Sequence, residues 1–309
     1  MKIAVVGAGA MGCLYAGAFH RADAEVTLVD VNAEHIAAIN ERGLELDTRA
    51  GIETLPLPAL RPEEASETVD LVVLFTKTFH TDTALTGVSA IIGPETHVLT
   101  LQNGLGNDEA VARHLARDRV IAGVSTLPSD LVGPGRVRSH GEGGSKLYPA
   151  FGGDTAFARR VADLLTAGGL PTHLEPAIQA AIWSKAIFNS AMNTLCALTR
   201  RTPGFLGTHE ESNALIRAVV LEGVAAANAS GIGIEPQPIL DLTIVSVTDH
   251  ADHEASMLQD VKAGRPTEVD AIAGAIVRAA QAAGVAVPVT ETLWRLVKLE
   301  DAKLALRPA

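Results

Sequence analysis

Residues 2–12, "KIAVVGAGAMG", restrict what this chain can fold into more than any other stretch. A run of Ile, Ala and Val reads as a buried strand and stops at Gly7. Gly9 and Gly12 follow at the spacing G-x-G-x-x-G, and "AMGCLYAGAFHRA" then reads as a helix. Each part has a reason. Gly7 permits a tight turn, Gly9 lets backbone N–H groups approach a pyrophosphate, and Gly12 lets the helix pack close to the strand. The helix N-terminus offers N–H groups and a partial positive charge to phosphates. Gly7, Ala8, Gly9, Ala10, Met11 and Gly12 are therefore expected to form a phosphate-binding turn. A second strand, "AEVTLVD", ends in Asp30, 18 residues after Gly12. A carboxylate there accepts both ribose hydroxyls and repels a 2′-phosphate. Val31 and Asn32 bring no cation, and the next basic side chain downstream is Arg42. The expected cofactor is NAD, with NADP as the alternative.

The rest of the first half repeats the alternation. "NAEHIAAINERG" reads as a helix, "LELDTRAGIETLPLP" as a small excursion, and "VDLVVLFT", "THVLTLQNG" and "VIAGVSTLP" as strands, with "DEAVARHLA" helical. Near-continuous Val, Ile and Leu runs indicate strands covered on both faces, hence a parallel sheet with helices on each side. "GPGRVRSHGEG" and "KLYPAFGG" look like antiparallel strands added late. Near "GLPTHLEPA" the period changes to helical. The segments are "IQAAIWSKAIFNSAMNTLCALT", "EESNALIRAVVLEGVAAANAS", "HEASMLQDVKAG", "EVDAIAGAIVRAAQAAG" and "TETLWRLVKLEDAKLA". Gly231, Gly264, Gly284 and the prolines at 236, 266 and 288 punctuate them. The expectation is an α/β Rossmann-type dinucleotide-binding domain over 1–174 and an all-α substrate and catalytic domain over 175–309.

Composition excludes several partners. The formal net charge of −11, without a cluster of Lys and Arg, disfavours nucleic acid and anionic membranes. The uncharged run after Lys2 resembles a signal peptide superficially, but its glycines make a poor membrane helix, and no other stretch is long enough to span a bilayer. Cys13 and Cys196 make no disulfide framework or zinc spacing, which points to a reducing, cytoplasmic compartment. His250 and His253 in "DHADH" have metal-like spacing but read as solvated, and no metal is expected.

The segment "IWSKAIFNSAMN" at 182–193 poses a question of its own. On a helix, Lys185, Asn189 and Asn193 fall within a stripe about 80° wide. Ile187, Phe188, Ala191, Met192 and Leu195 fill the adjoining arc. Such a stripe is either solvated surface or the polar lining of a site.

At this point the chain resembles the ketopantoate (2-dehydropantoate) reductases, a branch of the 6-phosphogluconate-dehydrogenase-like proteins. The residues that carry the resemblance are "GAGAMG", "VVLFTKTFHT", "LQNGLGN", "PGRVRSHGEG", "WSKAIFNSAMN" and "SMLQDVKAGRPTEVDAIAG", in that order from end to end. The resemblance implies a reduction of a 2-keto acid to the 2-hydroxy acid, with hydride from the nicotinamide. It implies Lys185 as the general acid and Glu268 near Lys185 and the nicotinamide ribose. It places Asn189, Asn193 and Ser256 on the substrate, and Lys77 and Asn103 beside the nicotinamide and the substrate carboxylate. On that reading the polar stripe faces a cleft between the domains. Developing alkoxide needs a proton donor already in place. Burial lowers a lysine's pKa while a neighbouring Glu268 raises it, and the sequence leaves open which prevails. Trp183 reads as packing. A homodimer through the helical half is expected.

The match weakens on the substrate side. Where the family commonly reads "NPLTAL" and later "NG", this chain has "NTLCALTRRTPGFL", with Thr194 after Asn193 and Pro203 before Gly204. Ala273 stands where the family often has Asn. Another branched or aromatic 2-keto acid is therefore the second substrate expectation. A 3-hydroxyacid dehydrogenase and a dinucleotide sensor without turnover are the remaining alternatives.

Overall fold

The computed structural model describes residues 1–306. Contacts divide the chain into two compact units: Met1–Gln102 with Asn107–Ile178, and Asn103–Gly106 with the chain from Gln179 onward.

In the first unit, β1 (Lys2–Val6), β2 (Glu25–Val29), β3 (Leu44–Thr48), β4 (Gly51–Leu55), β5 (Ala59–Leu60), β6 (Leu71–Leu74), β7 (His97–Thr100), β8 (Val120–Ser125), β9 (Asp130–Gly133), β10 (Arg136–Ser139), β11 (Ser145–Pro149) and β12 (Thr172–Leu174) form two sheets. Its helices are α1 (Ala10–Arg21), α2 (Ala33–Arg42), α3 (Thr81–Gly87), α4 (Asn107–Val111) and α5 (Thr155–Ala167). The larger sheet runs β12-β11-β8-β7-β6-β1-β2-β5. The strands from β8 to β5 are parallel, and β11 joins β8 antiparallel. After β1 the chain moves outward to β2, then returns to place β6 on the other side of β1. This reversal is where open α/β sheets bind ligands, beyond the carboxyl ends of the strands.

The unbroken apolar runs follow from burial on both faces. Ile3, Val5, Leu71 and Val73 pack with Leu14 and Phe19 of α1 and with Phe157 and Val161 of α5. Their neighbours Ala4, Val6, Val72 and Leu74 point the opposite way and pack with Leu85 and Val111 of α3 and α4.

The excursion after α2 becomes the hairpin β3–β4. It joins β9 and β10 in a second sheet ordered β4-β3-β10-β9. The two late strands thus separate: β10 enters this small sheet and β11 the large one. Leu46 of β3 rests on Gly17 of α1, where a Cβ would stand 2.3 Å from the leucine Cδ1.

The second unit is helical: α6 (Ile178–Thr199), α7 (Pro203–Gly207), α8 (Glu210–Ala229), α9 (Pro236–Thr248), α10 (Ser256–Ala263), α11 (Ala273–Ala282) and α12 (Pro288–Ala302). Gly231, Gly264 and Gly284 take positive φ beyond helix ends, and Pro236 and Pro288 begin α9 and α12. Pro266 begins none. The helix expected from residue 268 starts at Ala273, because residues 267–272 are held as a turn by side chains from α12. Among the described residues, no helix is long and apolar enough to cross a membrane.

Candidate active site

In the first unit, the glycine turn leaves β1 with Gly7 at φ +95°, a conformation that glycine adopts without strain. A Cβ on Gly7 would lie 2.7 Å from the Thr76 nitrogen, so the loop after β6 closes directly on the turn. A Cβ on Gly12 would lie 2.0 Å from the Gly7 carbonyl oxygen, which requires glycine for the close approach of helix and strand. At Gly9 a Cβ would meet nothing within 4 Å among the described residues. The N-cap Gly9 brings no side chain, so the first-turn N–H groups of α1, which a helix cannot satisfy internally, have no side-chain cap. This cradle fits a dinucleotide pyrophosphate.

Asp30 is part-buried at the end of β2. Its Oδ2 accepts from Ala8 N at 2.7 Å and its Oδ1 from Asn32 N at 2.9 Å. The carboxylate is thus fastened to the glycine turn. Arg61 lies closer to it than the sequence order suggests. Asp30 N donates to Leu60 O on the neighbouring β5, placing Arg61 next to Asp30, but its guanidinium is already paired with Glu63 at 2.8 Å.

Lys77 is part-buried beyond the carboxyl end of β6, at the start of the short turn Thr78–His80. Gln102, which the sequence did not single out, ties the loops after β6 and β7 together. Its Nε2 donates to Thr76 O at 2.7 Å and to Thr81 Oγ1 at 3.0 Å, and its Oε1 accepts from Thr100 Oγ1 at 3.0 Å.

In the second unit, α6 carries the stripe. Ile187, Ala191, Met192, Leu195 and Trp183 sink into a core shared with α8 to α12, so Trp183 is packing. Asn189 and Asn193 are only 7% and 6% exposed, and Lys185 is part-buried. A solvated surface stripe is thereby ruled out. Burial draws the Lys185 pKa down from 10.5 to about 8, while the Glu268 carboxylate pulls it upward. Desolvation prevails, which resolves the competition that the sequence left open. A lysine at about 8 is a far better proton donor near neutral pH than an ordinary one.

Glu268 is 8% exposed and sits in the turn before α11 rather than on a helix. Both flanks of this turn are clamped by α12. Asp301 accepts from Thr267 N at 3.2 Å and from Thr267 Oγ1 at 2.8 Å. Asp270 accepts from Trp294 Nε1 at 2.8 Å and pairs with Lys298. The Asn103–Gly106 loop belongs to this unit and rests on the same turn. Leu105 N donates to Ala271 O at 2.9 Å, and a Cβ on Gly104 (φ +89°) would lie 2.3 Å from that oxygen. Asn103 is thereby placed in the unit that holds Glu268.

Ser256 opens α10, exposed, and its Oγ accepts from Asn193 Nδ2 at 3.5 Å, so these two expected substrate groups are neighbours. Gln259 instead turns back to donate to Glu254 O. Thr194 is fully buried and donates to Ser190 O at 2.6 Å, which occupies its hydroxyl within α6. Ala273 is buried and apolar where the family pattern often has an amide. His250 and His253 are exposed, and no group of metal-holding side chains occurs among the described residues.

Comparisons with known proteins cover nearly the whole chain. The family model "Ketopantoate reductase PanE/ApbA" matches residues 3–150, and "Ketopantoate reductase PanE/ApbA C terminal" matches residues 177–301. A 2-dehydropantoate 2-reductase from Streptococcus pyogenes serotype M1 is 32% identical, covering 99% of this chain and 100% of the relative. Among solved structures, D-mandelate dehydrogenase with NADH and anilino(oxo)acetate aligns with a TM-score of 0.94 at 31% identity, covering 99% of this chain and 100% of the other. A PanE/ApbA family ketopantoate reductase from Ralstonia eutropha JMP134 aligns at 0.90 with 32% identity, again covering 99% and 100%.

Proposed function

Since the chain belongs to the ketopantoate reductase family, and is thus an oxidoreductase acting on CH–OH groups, we propose that it reduces a 2-keto acid to the 2-hydroxy acid with NADH, and that Lys185 supplies the proton. The observation that carries this reading is a lysine brought to about 8 by burial, in line with two buried amides and acted on by Glu268.

The bound dinucleotide supplies the hydride. The glycine turn holds its pyrophosphate, and Asp30 holds the ribose hydroxyls. As the carbonyl oxygen gains negative charge, the Lys185 ammonium stabilises it and transfers a proton from Nζ. Glu268 keeps enough positive charge on Lys185 for this at neutral pH. Asn189, Asn193 and Ser256 orient the substrate through hydrogen bonds without neutralising the lysine, and Lys77 and Asn103 bind at its carboxylate end. NADH is favoured over NADPH because Asp30 would face a 2′-phosphate, and the adjacent Arg61 is balanced by Glu63.

The substrate named by the relatives is 2-dehydropantoate. A second reading, an aromatic or other branched 2-keto acid, is supported by the similarity to the NADH-bound D-mandelate dehydrogenase. It is also supported by Thr194, whose hydroxyl is turned into its own helix, and by the apolar Ala273. Initial rates on a panel of 2-keto and 3-keto acids, each with NADH and NADPH, test these readings. Turnover of 2-dehydropantoate with NADH is expected. A preference for phenylglyoxylate establishes the second reading, preference for 3-keto acids refutes both, and dinucleotide binding without any turnover makes the chain a sensor. Lys185→Ala lowers turnover about 10²–10⁴-fold with little change in dinucleotide affinity. A homodimer through the helical unit is part of the same reading, since Leu242, Ile244 and Leu299 leave large apolar side chains exposed; sedimentation at micromolar concentration tests it.

A further inference from the structure

Two buried polar side chains near the glycine turn have no part in the chemistry above. Cys13, in the first turn of α1, and His35, in the first turn of α2, are both almost completely buried. An apolar pair would fill that space without any need for hydrogen bonds, whereas buried polar groups are costly unless they are satisfied. These are satisfied in a particular way.

Gly135 N donates to His35 Nδ1 at 3.0 Å. A backbone N–H can only donate, so Nδ1 carries the lone pair and the ring hydrogen sits on Nε2. That nitrogen lies 3.5 Å from Cys13 Sγ and donates to it. Burial, with the negative charge of Asp30 adding to it, pushes the Cys13 thiol far up, so the thiol keeps its proton. It donates that proton to Ala8 O at 3.1 Å. Ala8 N in turn donates to Asp30 Oδ2, and Asp30 Oδ1 accepts from Asn32 N. Asn32 Oδ1 closes the circuit by accepting from His35 N at 3.1 Å. The ring therefore runs Ala8, Asp30, Asn32, His35 and Cys13. It grips both the N–H and the C=O sides of the residue at the centre of the glycine turn.

We propose that His35 and Cys13 are positioning residues for the dinucleotide: acting through the Ala8 carbonyl, they fix the tilt of the glycine-turn peptides and the rotamer of Asp30. They touch no substrate, so their contribution falls on cofactor affinity and not on the chemical step. The inference rests on the glycine turn holding a dinucleotide, as in the function proposed above.

The test compares substitutions that keep different halves of the network. His35→Gln keeps a donor where Nε2 reaches Cys13, and His35→Asn keeps an acceptor where Nδ1 meets Gly135. Cys13→Ser keeps a hydroxyl donor to Ala8 O, and Cys13→Ala removes it. Dissociation constants are measured by nucleotide fluorescence with whichever of NADH and NADPH binds the unaltered protein more tightly. A preference for NADPH thus corrects the cofactor reading without touching this comparison. A bond to or from a thiol is weaker than an ordinary hydrogen bond, so its loss predicts a rise of about three- to fivefold for His35→Asn and Cys13→Ala. His35→Gln and Cys13→Ser are expected to stay within about twofold, with kcat at saturating nucleotide changed by less than about twofold in all four. Melting temperatures are read in parallel. Equal weakening by Gln and Asn, or by Ser and Ala, overturns the proposal, because it indicates simple core disruption. So does a loss in kcat instead of affinity, or a fall in melting temperature at unchanged affinity.

Discussion

Glu268→Gln gives the sharpest test of how the proposed site works. In the unaltered protein two opposing effects set the Lys185 ammonium at about 8, burial lowering it and Glu268 raising it. Substituting an amide of the same shape removes only the second. An opposite charge within about 4–6 Å shifts a pKa by roughly 1–3 units. We take the low end, because Lys185 is part-buried and solvent screens it to some degree. The expected lysine pKa in Glu268→Gln is therefore about 7. Keto-acid reduction needs the ammonium form, so kcat/KM is flat at low pH and falls about tenfold per unit above the pKa. The fall begins near pH 8 in the unaltered enzyme and near pH 7 in the variant. At pH 8.5 the shift alone costs the variant about eightfold in rate. Oxidation of the hydroxy acid needs the neutral amine, so the same shift favours the variant near pH 7. The assay is NADH absorbance from pH 6 to 10 in both directions, with the keto acid well below KM. The low-pH plateau also falls if Glu268 contacts the nicotinamide ribose, but the position of the break does not depend on that. A break that stays in place or moves to higher pH refutes the electrostatic pairing. A break that persists unchanged in Lys185→Ala removes Lys185 as its source.

Asp30→Ala should weaken NADH more than NADPH, shifting the ratio of their dissociation constants by about tenfold as one like-charge repulsion is lost; fluorescence titration of both nucleotides reads it, and an unchanged ratio refutes the ribose role. Gly104→Ala drives a Cβ to 2.3 Å from Ala271 O at a φ of +89°, so a cost of about 1–3 kcal/mol is expected. The keto-acid KM should rise with it as Asn103 moves, and an unaltered KM and melting temperature counts against the loop's placement. Asp301→Ala removes the acceptor of two Thr267 hydrogen bonds, with an expected stability loss of about 1–3 kcal/mol. A kcat/KM loss of about tenfold is expected if the clamp positions Glu268; lowered stability with normal kinetics shows that the clamp is merely structural.

Much of the fold was legible because local chemistry repeats it. Helix α6 spans the residues whose period predicts it, since a long Ala-, Ile- and Leu-rich run has little competition from other conformations. The doubly covered strands announced themselves by losing alternation. The turn carrying Glu268 was not legible in this way. "EVDAIAGAI" has helical period, yet residues 268–272 are not helical, because Asp301, Trp294 and Lys298, about thirty residues later, compete successfully for the turn's polar groups. The helical segments named from the sequence include neither α5 nor α9. Each begins at a recognisable signal, the Asp154 cap and Pro236 respectively.

The glycine turn, Asp30 and the Lys185, Asn189 and Asn193 stripe are properties of the sequence itself, because each depends on residue type at a fixed spacing along one element. The pKa of Lys185 is not, because it depends on how much water the folded chain removes from the ammonium and on Glu268, more than eighty residues away. The placement of Arg61 beside Asp30, of Asn103 in the unit that holds Glu268, and of His35 beneath the glycine turn are likewise products of tertiary structure. Sequence spacing governs what a single helix or strand presents; distance and dielectric between separate elements exist only once the chain has folded.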